Sequence, residues 1–217
     1  MRKKTIAFVL VLFVILGAAL PVYAQEEEQT EGTVTVAEVP DPVFLDISSA
    51  DEFMTFAESC RLDSYSQGLV VTLKRDIDLT GMDLPGVPIF SGYFDGDGHE
   101  IKGLTVSGDG SYQGLFRYLT ASATVTDLKL SGTVRPGGSA NHVGMLAGEN
   151  LGLIADCAVY AEVSGNSYVG GIVGINGVSG LIEDCEVRGR VDGTHQVGGI
   201  AGENLGAIRN CTNHAPV

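Results

Sequence analysis

The chain contains no tryptophan and few basic residues. Its 217 residues include 13 Lys or Arg against 27 Asp or Glu, which gives a formal net charge of −14. Because such a chain repels polyanions, we expect neither nucleic acid nor anionic lipid as a partner. The absence of Trp also removes a large aromatic side chain of the kind that stacks on sugar rings, which weakens a carbohydrate-binding platform.

The apolar stretch near the N-terminus is too short to span a bilayer. Ile6 to Leu20 falls below the roughly 20 residues that a transmembrane helix needs. It follows the basic segment 2–4 and precedes Val22-Tyr23-Ala24, a small-x-small cleavage site, which predicts a signal peptide at residues 1–24. The alternative is a retained membrane anchor. No cysteine follows the stretch, so lipidation is not expected, and we expect no membrane attachment after cleavage.

Low charge and many glycines indicate a turn-rich β protein. Charged residues make up 18% of the chain, and 30 residues are glycine. Residues 25–46 begin with an acidic, Pro-containing stretch and are predicted to form a disordered leader. The remainder suits one domain, divided into an N-terminal helix and loop at 47–68 and a stack of strands at 69–217.

One amphipathic helix is predicted over Ser49 to Arg61. Ser49 and Glu52 form a capping box. An apolar stripe at helical spacing follows: Phe53, Phe56, Ala57 and Cys60. We expect this stripe to cover the open first rung of the strand stack, because exposed strand edges are sites of aggregation.

Three segments repeat one pattern at a period of 26 to 28 residues. They are VGMLAGENLGLIADC from Val143, VGGIVGINGVSGLIEDC from Val169 and VGGIAGENLGAIRNC from Val197. Repeats of this length, here bounded as 143–168, 169–196 and 197–217, are typical of a solenoid in which each repeat forms one rung. The chain is therefore predicted to be all-β, a parallel β-helix whose rungs lie ~4.8 Å apart.

Aligning earlier segments under these repeats predicts inward columns of apolar side chains. The columns are Ile101, Val125, Ile154, Ile182, Ile208; Leu104, Leu128, Cys157, Cys185, Cys211; and Val106, Leu130, Val159, Val187, Asn213. Between the first two columns the alternation shifts phase by one residue. An Asx residue stands at each shift, which predicts a ladder of corners at Asp127, Asp156, Asp184 and Asn210.

The cysteines and acidic residues do not form a recognisable metal site. Cys157, Cys185 and Cys211 share a column with leucines, so we expect buried, unpaired thiols there, although the sequence leaves their disulfide state open. Asp95, Asp97 and Glu100 are candidate calcium ligands, but Asp-Gly-Asp-Gly is favoured as turn chemistry. The pair His99-Glu100 lacks the second histidine, at position 103, that a zincin helix requires.

No catalytic constellation repeats along the outward positions. Two outward columns are predicted: Thr105, Lys129, Ala158, Glu186, Thr212; and Ser107, Ser131, Tyr160, Arg188, His214. Neither repeats a charge or an aromatic ring. Glu186, Arg188 and Arg190 form a small patch read as a solvated face, and Tyr160 and Tyr168 are the tyrosines that could stack on sugars. No catalytic, cofactor-binding or metal residue is assigned, and no cofactor is expected.

The phrase VGGIxGxNxGxIxxC resembles the GLUG-type repeat of bacterial surface proteins. Val169 to Asn176 and Val197 to Asn204 carry it closely, and Met145 replaces a glycine in the first repeat. Phe94 to Val106 is similar to the early rungs of pectin-lyase-like β-helices. The resemblance implies a right-handed β-helix in an exported or wall-associated protein, in adhesin-like chains or in non-catalytic regions of surface peptidases.

The resulting expectation is a non-enzymatic secreted or cell-surface module of a bacterium, an adhesin-type or spacer repeat. The alternatives are a carbohydrate-active β-helix enzyme, a pure stalk, and the N-terminal non-catalytic region of a surface peptidase. The chain stops in mid-strand by the repeat pattern, so we expect an exposed last rung and a longer parent protein. Expected partners are a host or matrix protein or glycan, or further repeats at that edge.

Overall fold

A computed structural model describes residues 41–217, and the predicted signal peptide and most of the predicted leader lie outside this range. Its strands form four parallel sheets. The seven-stranded sheet contains β1 Val43–Ile47, β2 Leu69–Leu73, β5 Tyr93–Asp95, β8 Thr124–Thr126, β12 Leu153–Ala155, β16 Leu181–Glu183 and β20 Ala207–Arg209. The six-stranded sheet contains β3 Ile77–Asp78, β6 Glu100–Val106, β9 Lys129–Val134, β13 Ala158–Ser164, β17 Glu186–Asp192 and β21 Thr212–Asn213.

The other two sheets are shorter and complete each turn of the solenoid. The five-stranded sheet contains β4 Val87–Phe90, β7 Phe116–Leu119, β11 Ala147–Asn150, β15 Val173–Asn176 and β19 Ala201–Asn204. The three-stranded sheet contains β10 Asn141–Gly144, β14 Ser167–Gly170 and β18 His195–Gly198. One full turn passes through the three-, five-, seven- and six-stranded sheets in that order. This arrangement confirms the predicted all-β parallel β-helix.

The core consists of side chains stacked in register along the solenoid axis. In the seven-stranded sheet one inward column is Val71, Phe94, Val125, Ile154, Ile182 and Ile208. Phe90, Phe94 and Phe116 form an aromatic cluster at the N-terminal end, with ring centroids 5.2 to 6.2 Å apart. Parallel pairing places like residues above one another, so each rung buries the apolar face that the previous rung exposes.

Helix α1 spans Ala50–Ser59 and packs against this aromatic cluster. The Ser49 hydroxyl accepts a hydrogen bond from the Glu52 amide at 3.2 Å, and the Glu52 carboxylate accepts one from the Ser48 amide at 2.7 Å. The Phe56 ring lies 5.9 Å from that of Phe90, and both Phe53 and Phe56 are buried. The apolar stripe thus meets the core at the N-terminal end of the solenoid, where the sequence predicts it.

The solenoid begins earlier than the sequence predicts. Residues 43–46 were expected to belong to the leader and the strand stack to start at residue 69, but β1 pairs with β2 over five consecutive residues, Val43 to Ile47. Segment VFLDI is too short for its alternation to stand out beside the acidic stretch before it. Its backbone pairs with the hydrogen-bond donors and acceptors along one edge of β2. Without β1, these backbone groups would lack partners within the sheet.

The predicted register is wrong in the first turn that the sequence alignment covers, which contains β5 and β6. Phe94, not Ile101, pairs with Val125, while Ile101 pairs with Leu130 and Leu104 with Gly132. Thr105 accordingly pairs with Thr133 instead of joining the outward column of Lys129. The cause is the turn between β5 and β6, which has four residues where the next turn has two, together with an irregularity within β6. From Val125 onward the predicted columns are observed.

The corner ladder is confirmed by backbone geometry. Asp127, Asp156, Asp184 and Asn210 all adopt a left-handed conformation, with φ between 51° and 53°. Asx side chains tolerate this region better than most non-glycine residues. Backbone bonds link successive corners, as where the Asp156 amide donates to the Glu183 carbonyl at 3.2 Å. The corners let the chain turn from the seven-stranded to the six-stranded sheet while both keep apolar side chains inward.

Candidate functional site

The predicted charged patch lies on the outer face of the six-stranded sheet, in β17. Arg188 contacts Glu186 at 2.6 Å, and Arg190 contacts Asp192 at 2.6 Å. All four side chains are substantially exposed to solvent. The hydrogen bond from Arg190 lowers the pKa of the Asp192 carboxyl, which favours its ionised form over a proton-donating one. The predicted solvated face is therefore a set of surface ion pairs.

The candidate calcium residues take part in turn formation. The Asp97 amide donates to the Asp95 carboxylate at 2.8 Å, which closes an Asx turn. The Glu100 amide donates to the Asp76 carboxylate at 3.0 Å, and the His99 ring contacts the same carboxylate at 3.2 Å. These bonds, the backbone bond first, lower the pKa of Asp76. Among residues 41–217 no group of three or more His, Cys, Asp or Glu is arranged to hold a metal ion.

The cysteine column consists of free thiols that face carbonyl groups. Within residues 41–217 the thiols of Cys157, Cys185 and Cys211 each lie 3.1 Å from the carbonyl oxygen two residues earlier. The hydrogen bond with Cys157, followed by burial, raises the pKa of Cys185. Burial also raises the pKa of Cys60 to about 12. Because the thiolate is the reactive form, these groups are poor nucleophiles.

A ladder of aromatic rings lies along one corner of the solenoid. We call Tyr118, Tyr112, His142 and Tyr168 the aromatic ladder. The His142 ring is stacked between Tyr112 and Tyr168, at centroid distances of 4.3 and 4.7 Å and with the ring planes within 4° of parallel. Tyr118 lies 4.8 Å from Tyr112 at a tilt of 31°. The ring faces contact one another, so mainly their edges are left for a ligand.

Three residues of the aromatic ladder, Tyr112, His142 and Tyr168, occupy a second set of left-handed corners that sequence reasoning missed. Tyr112, His142, Tyr168 and Gln196 have φ values of 44° to 60°. The available signal was the aromatic residue before the Val-Gly or Gln-Gly of successive repeats. Burial lowers the pKa of His142, and its Nδ1 atom is buried with no hydrogen-bond partner. Both observations describe a neutral imidazole within the stack. Of the two tyrosines predicted for sugar stacking, Tyr168 belongs to this ladder.

The glycines of the repeat motif allow this corner to pack tightly. A Cβ atom on Gly148, Gly174 or Gly202 would overlap the backbone of Tyr112, His142 or Tyr168, respectively. The five-stranded sheet therefore lies directly against the corners of the preceding turn. The regular spacing between a corner residue and a glycine in the next rung explains why VGGIxG contains glycine at its last position.

The motif asparagine forms a second ladder, buried in the core. We call Asn150, Asn176 and Asn204 the asparagine ladder. The Asn150 amide donates to the Asn176 carbonyl oxygen at 2.9 Å, and the Asn176 amide donates to that of Asn204 at 2.8 Å. Asn150 and Asn176 are fully buried, and Asn204 is exposed. Each buried amide thus has a partner in the next rung, as a buried polar group requires.

The outer face of the seven-stranded sheet carries a continuous column of mostly apolar side chains. We call it the apolar column: Phe44, Val70, Tyr93, Thr124, Leu153, Leu181 and Ala207. Phe44 is 73% exposed and Tyr93 is 40% exposed. Sequence reasoning missed this column because it followed the outward positions of the neighbouring sheet only.

The clefts beside the solenoid differ in volume. One between α1 and β4, lined by residues including Met54, Leu84, Pro88 and Arg117, has a volume of about 160 Å³, and one beside Val70, Tyr93 and Thr124 has a volume of about 380 Å³. Pockets that enclose drug-sized ligands are commonly about 300–1,000 Å³. The first cleft is smaller than this range, and the second lies at its lower end, along the outer face of the seven-stranded sheet. That outer face is therefore a better candidate for recognition than the cleft beside α1. Within residues 41–217, no helix has the length and apolar character needed to cross a membrane.

Comparison with known proteins supports the repeat interpretation. The Glug family, described as the GLUG motif, matches residues 165–192. Halomucin from Haloquadratum walsbyi (strain DSM 16790 / HBSQ001) is 35% identical over 86 residues, which cover 39% of this chain and 1% of Halomucin. No solved structure matches the chain. The matched segment forms β14 to β17, one turn of the solenoid, and the same ladders continue through the neighbouring turns. The chain is therefore a GLUG-repeat β-helix protein.

Proposed function

We propose that this chain is a non-enzymatic, exported surface module, a rigid repeat segment of a larger surface protein. The match to Halomucin supports a surface repeat module, and it spans only 1% of that protein's length. A bacterial cell-surface or extracellular location is part of the proposal, and the predicted signal peptide at 1–24 supports it. The other support is the rod itself, because stacked rungs transmit their rigidity along one axis.

The observation that carries the non-enzymatic part is the pairing of carboxylates on the charged face. Glu186 and Glu162 contact Arg188 and Arg135 at 2.6 Å. Glycoside hydrolysis instead needs one carboxyl group held protonated beside another that is ionised, both facing the substrate. Here each of these carboxylates is occupied by a guanidinium group of its own chain, which disfavours a pair of carboxyl groups free to face one substrate.

Two surfaces support a contact role over that of a simple spacer. The apolar column and the edges of the aromatic ladder both face outward, and a spacer would require neither. We therefore propose an adhesin-type module whose partner is a host or matrix protein, a glycan or neighbouring repeats.

The test combines an activity assay with a binding assay. The chain from Gln25 onward is incubated with a panel of acidic and neutral polysaccharides, and new reducing ends are measured. The same protein is applied to a glycan array and to immobilised host-matrix proteins. The proposal expects no cleavage and saturable binding that is lost on thermal unfolding. Cleavage would support the carbohydrate-active enzyme. If neither cleavage nor binding were observed, the spacer would be the favoured function.

A further inference from the structure

The apolar column differs from the rest of the solenoid exterior in being continuous. It contributes one outward residue in each of the seven strands, and only Thr124, at its centre, is polar. Val178 and Leu205, at the corner leading into this sheet, are 80% and 54% exposed and extend the apolar surface at its C-terminal end. Within the column Phe44 and Tyr93 are exposed and the other five residues are half-buried. Contiguous apolar surface that solvent reaches marks an interaction site more often than scattered apolar residues do.

A second column runs parallel to the apolar column on the same face. We call it the polar column: Asp46, Thr72, Asp95, Thr126, Ala155, Glu183 and Arg209. It is acidic at the N-terminal end and ends with a basic residue. Asp46 is exposed and lies 3.5 Å from Lys74 on its own chain. Any partner that covers this face must therefore contact the apolar column and the polar column side by side.

Geometry limits how a second copy can meet this face. If a two-fold axis runs parallel to the solenoid axis, the two solenoids lie parallel. An axis midway between the columns sets each apolar column opposite the other copy's polar column, so Phe44 meets Asp46. An axis over the apolar column sets each residue opposite its own copy and leaves the two polar columns on opposite sides of the interface. If the axis runs along the strands, the two solenoids lie antiparallel and each apolar column faces its own counterpart. Only the antiparallel arrangement sets the apolar column on the apolar column and the polar column on the polar column at the same time in an isologous interface.

In that arrangement the rung order reverses about Thr124, and the side chains are complementary. Phe44, one of the two aromatic residues of the apolar column, faces Ala207, its smallest residue. Tyr93 faces Leu153, and Val70 faces Leu181. In the polar column the terminal residues face each other, so Asp46 of one copy meets Arg209 of the other, and no two like charges lie directly opposite.

We propose that the apolar column is the interface of an antiparallel dimer formed with a second copy of this chain. Six strand intervals of ~4.8 Å give a contact length of about 29 Å. With a width of about five residues at ~3.3 Å each, the interface buries roughly 1,000 Å² in total. That lies at the low end of specific interfaces, so the dimer dissociates readily. Because both copies are strongly acidic, salt strengthens it.

The test is sedimentation equilibrium of the chain from Gln25 onward, at ~1 to 300 μM and at two salt concentrations. We expect a monomer–dimer equilibrium that tightens as salt rises. Leu181→Lys places two ammonium groups in the interface and should weaken dimerisation by about tenfold or more. The matched control is Leu62→Lys, since Leu62 is 70% exposed and lies outside this sheet. Thermal melts verify that both variants fold.

A charge reversal tests the antiparallel register. Asp46→Arg and Arg209→Asp should each weaken the dimer, because each places like charges opposite each other twice. The double variant restores both pairs at unchanged net charge and should regain the original association. Three results would overturn the proposal: a monomer at every concentration, a dimer that tolerates Leu181→Lys, or a double variant no better than the singles. If the chain formed a dimer only after residues 25–40 were deleted, the proposal would also be overturned. The leader, and not a second copy, would then cover the apolar column.

Discussion

Replacing Asn176 with aspartate removes hydrogen-bond donors from the centre of the asparagine ladder. The Asn176 amide donates to Asn204 at 2.8 Å, to the Ala207 carbonyl at 3.1 Å and to the Gly180 carbonyl at 3.2 Å. A carboxylate has the same shape but no donor. All three acceptors would then face a buried oxygen atom, while the acceptor for Asn150 is retained.

The magnitude follows from the number of bonds lost. The amide has only two N–H groups, so these three contacts amount to about two hydrogen bonds. Leaving two buried acceptors unsatisfied costs about 1–3 kcal/mol each, and the carboxylate also buries a charge, so we expect a loss of at least about 3 kcal/mol in the free energy of unfolding at pH 7. For a domain of this size that lowers Tm by about 6–12 °C. Asn204→Asp is the matched control. It makes the same change at the exposed end of the same ladder and keeps the acceptor for Asn176, so it should cost less than about 1 kcal/mol.

The pH dependence gives an independent check. Burial raises the folded-state pKa of the new carboxyl above its unfolded value near 3.9, and its protonated form can donate again. The deficit of Asn176→Asp relative to the native chain is therefore present above the folded-state pKa and disappears as pH falls to the unfolded value. Urea unfolding at pH 7 and pH 4.5 measures both effects. Equal losses for the Asn176 and Asn204 variants, or a deficit that grows in acid, would refute this reasoning.

Three further predictions concern the packing of the rungs. Gly174→Ala places a Cβ against the His142 backbone and should lower the free energy of unfolding by about 3 kcal/mol or more, whereas Gly108→Ala, with open space around it, should be nearly neutral in the same urea titration. The lowered pKa of His142 means that the native chain loses stability as pH falls below about 6.5 toward the folded-state value; His142→Tyr, chosen to match the two tyrosines stacked on it, should remove this part of the pH profile. Brief alkylation of the folded protein should modify Cys211 first and spare Cys60, Cys157 and Cys185, as counted by intact mass; four equally fast thiols would contradict the buried column.

The repeats could be predicted from sequence because their ladders repeat the same residue at the same place. The column of Val125, Ile154, Ile182 and Ile208 follows from spacing alone, and so do the left-handed corners at Asp127 and its equivalents. In both cases a physical constraint on the position determines which residue types can occupy it. An inward position must be apolar in every rung, and a left-handed corner favours Asx.

The solenoid turn that contains β5 and β6 could not be placed in the same way. The loop between these two strands has two more residues than the equivalent loop before β9, so counting residues assigns Ile101 to the wrong column. The aromatic corners could not be predicted from sequence for a different reason. Tyr112 and Tyr168 adopt left-handed conformations that are rare for bulky residues, at a cost of about 1–3 kcal/mol each. Ring stacking across rungs offsets that cost, and contacts of this kind appear only once the solenoid is folded.

The outward columns show where sequence reasoning stops. The apolar column alternates with the buried column of the same strands, so its residues look like core residues in the sequence. Leu153 and Leu181 lie next to Ile154 and Ile182 in the chain, and only the strand direction separates an inner from an outer side chain. Short three-residue strands contain too few alternations to reveal which set faces outward.

The most direct test of the proposed surface module is the location and intact mass of the native product. Cytosolic, surface and culture fractions are separated, and the protein in each is analysed by mass spectrometry with sequencing of its N-terminus. The account predicts that residues 41–217 occur in the surface or culture fraction, on a chain that begins near Gln25. A product confined to the cytosol that still carries residues 1–24 would contradict it.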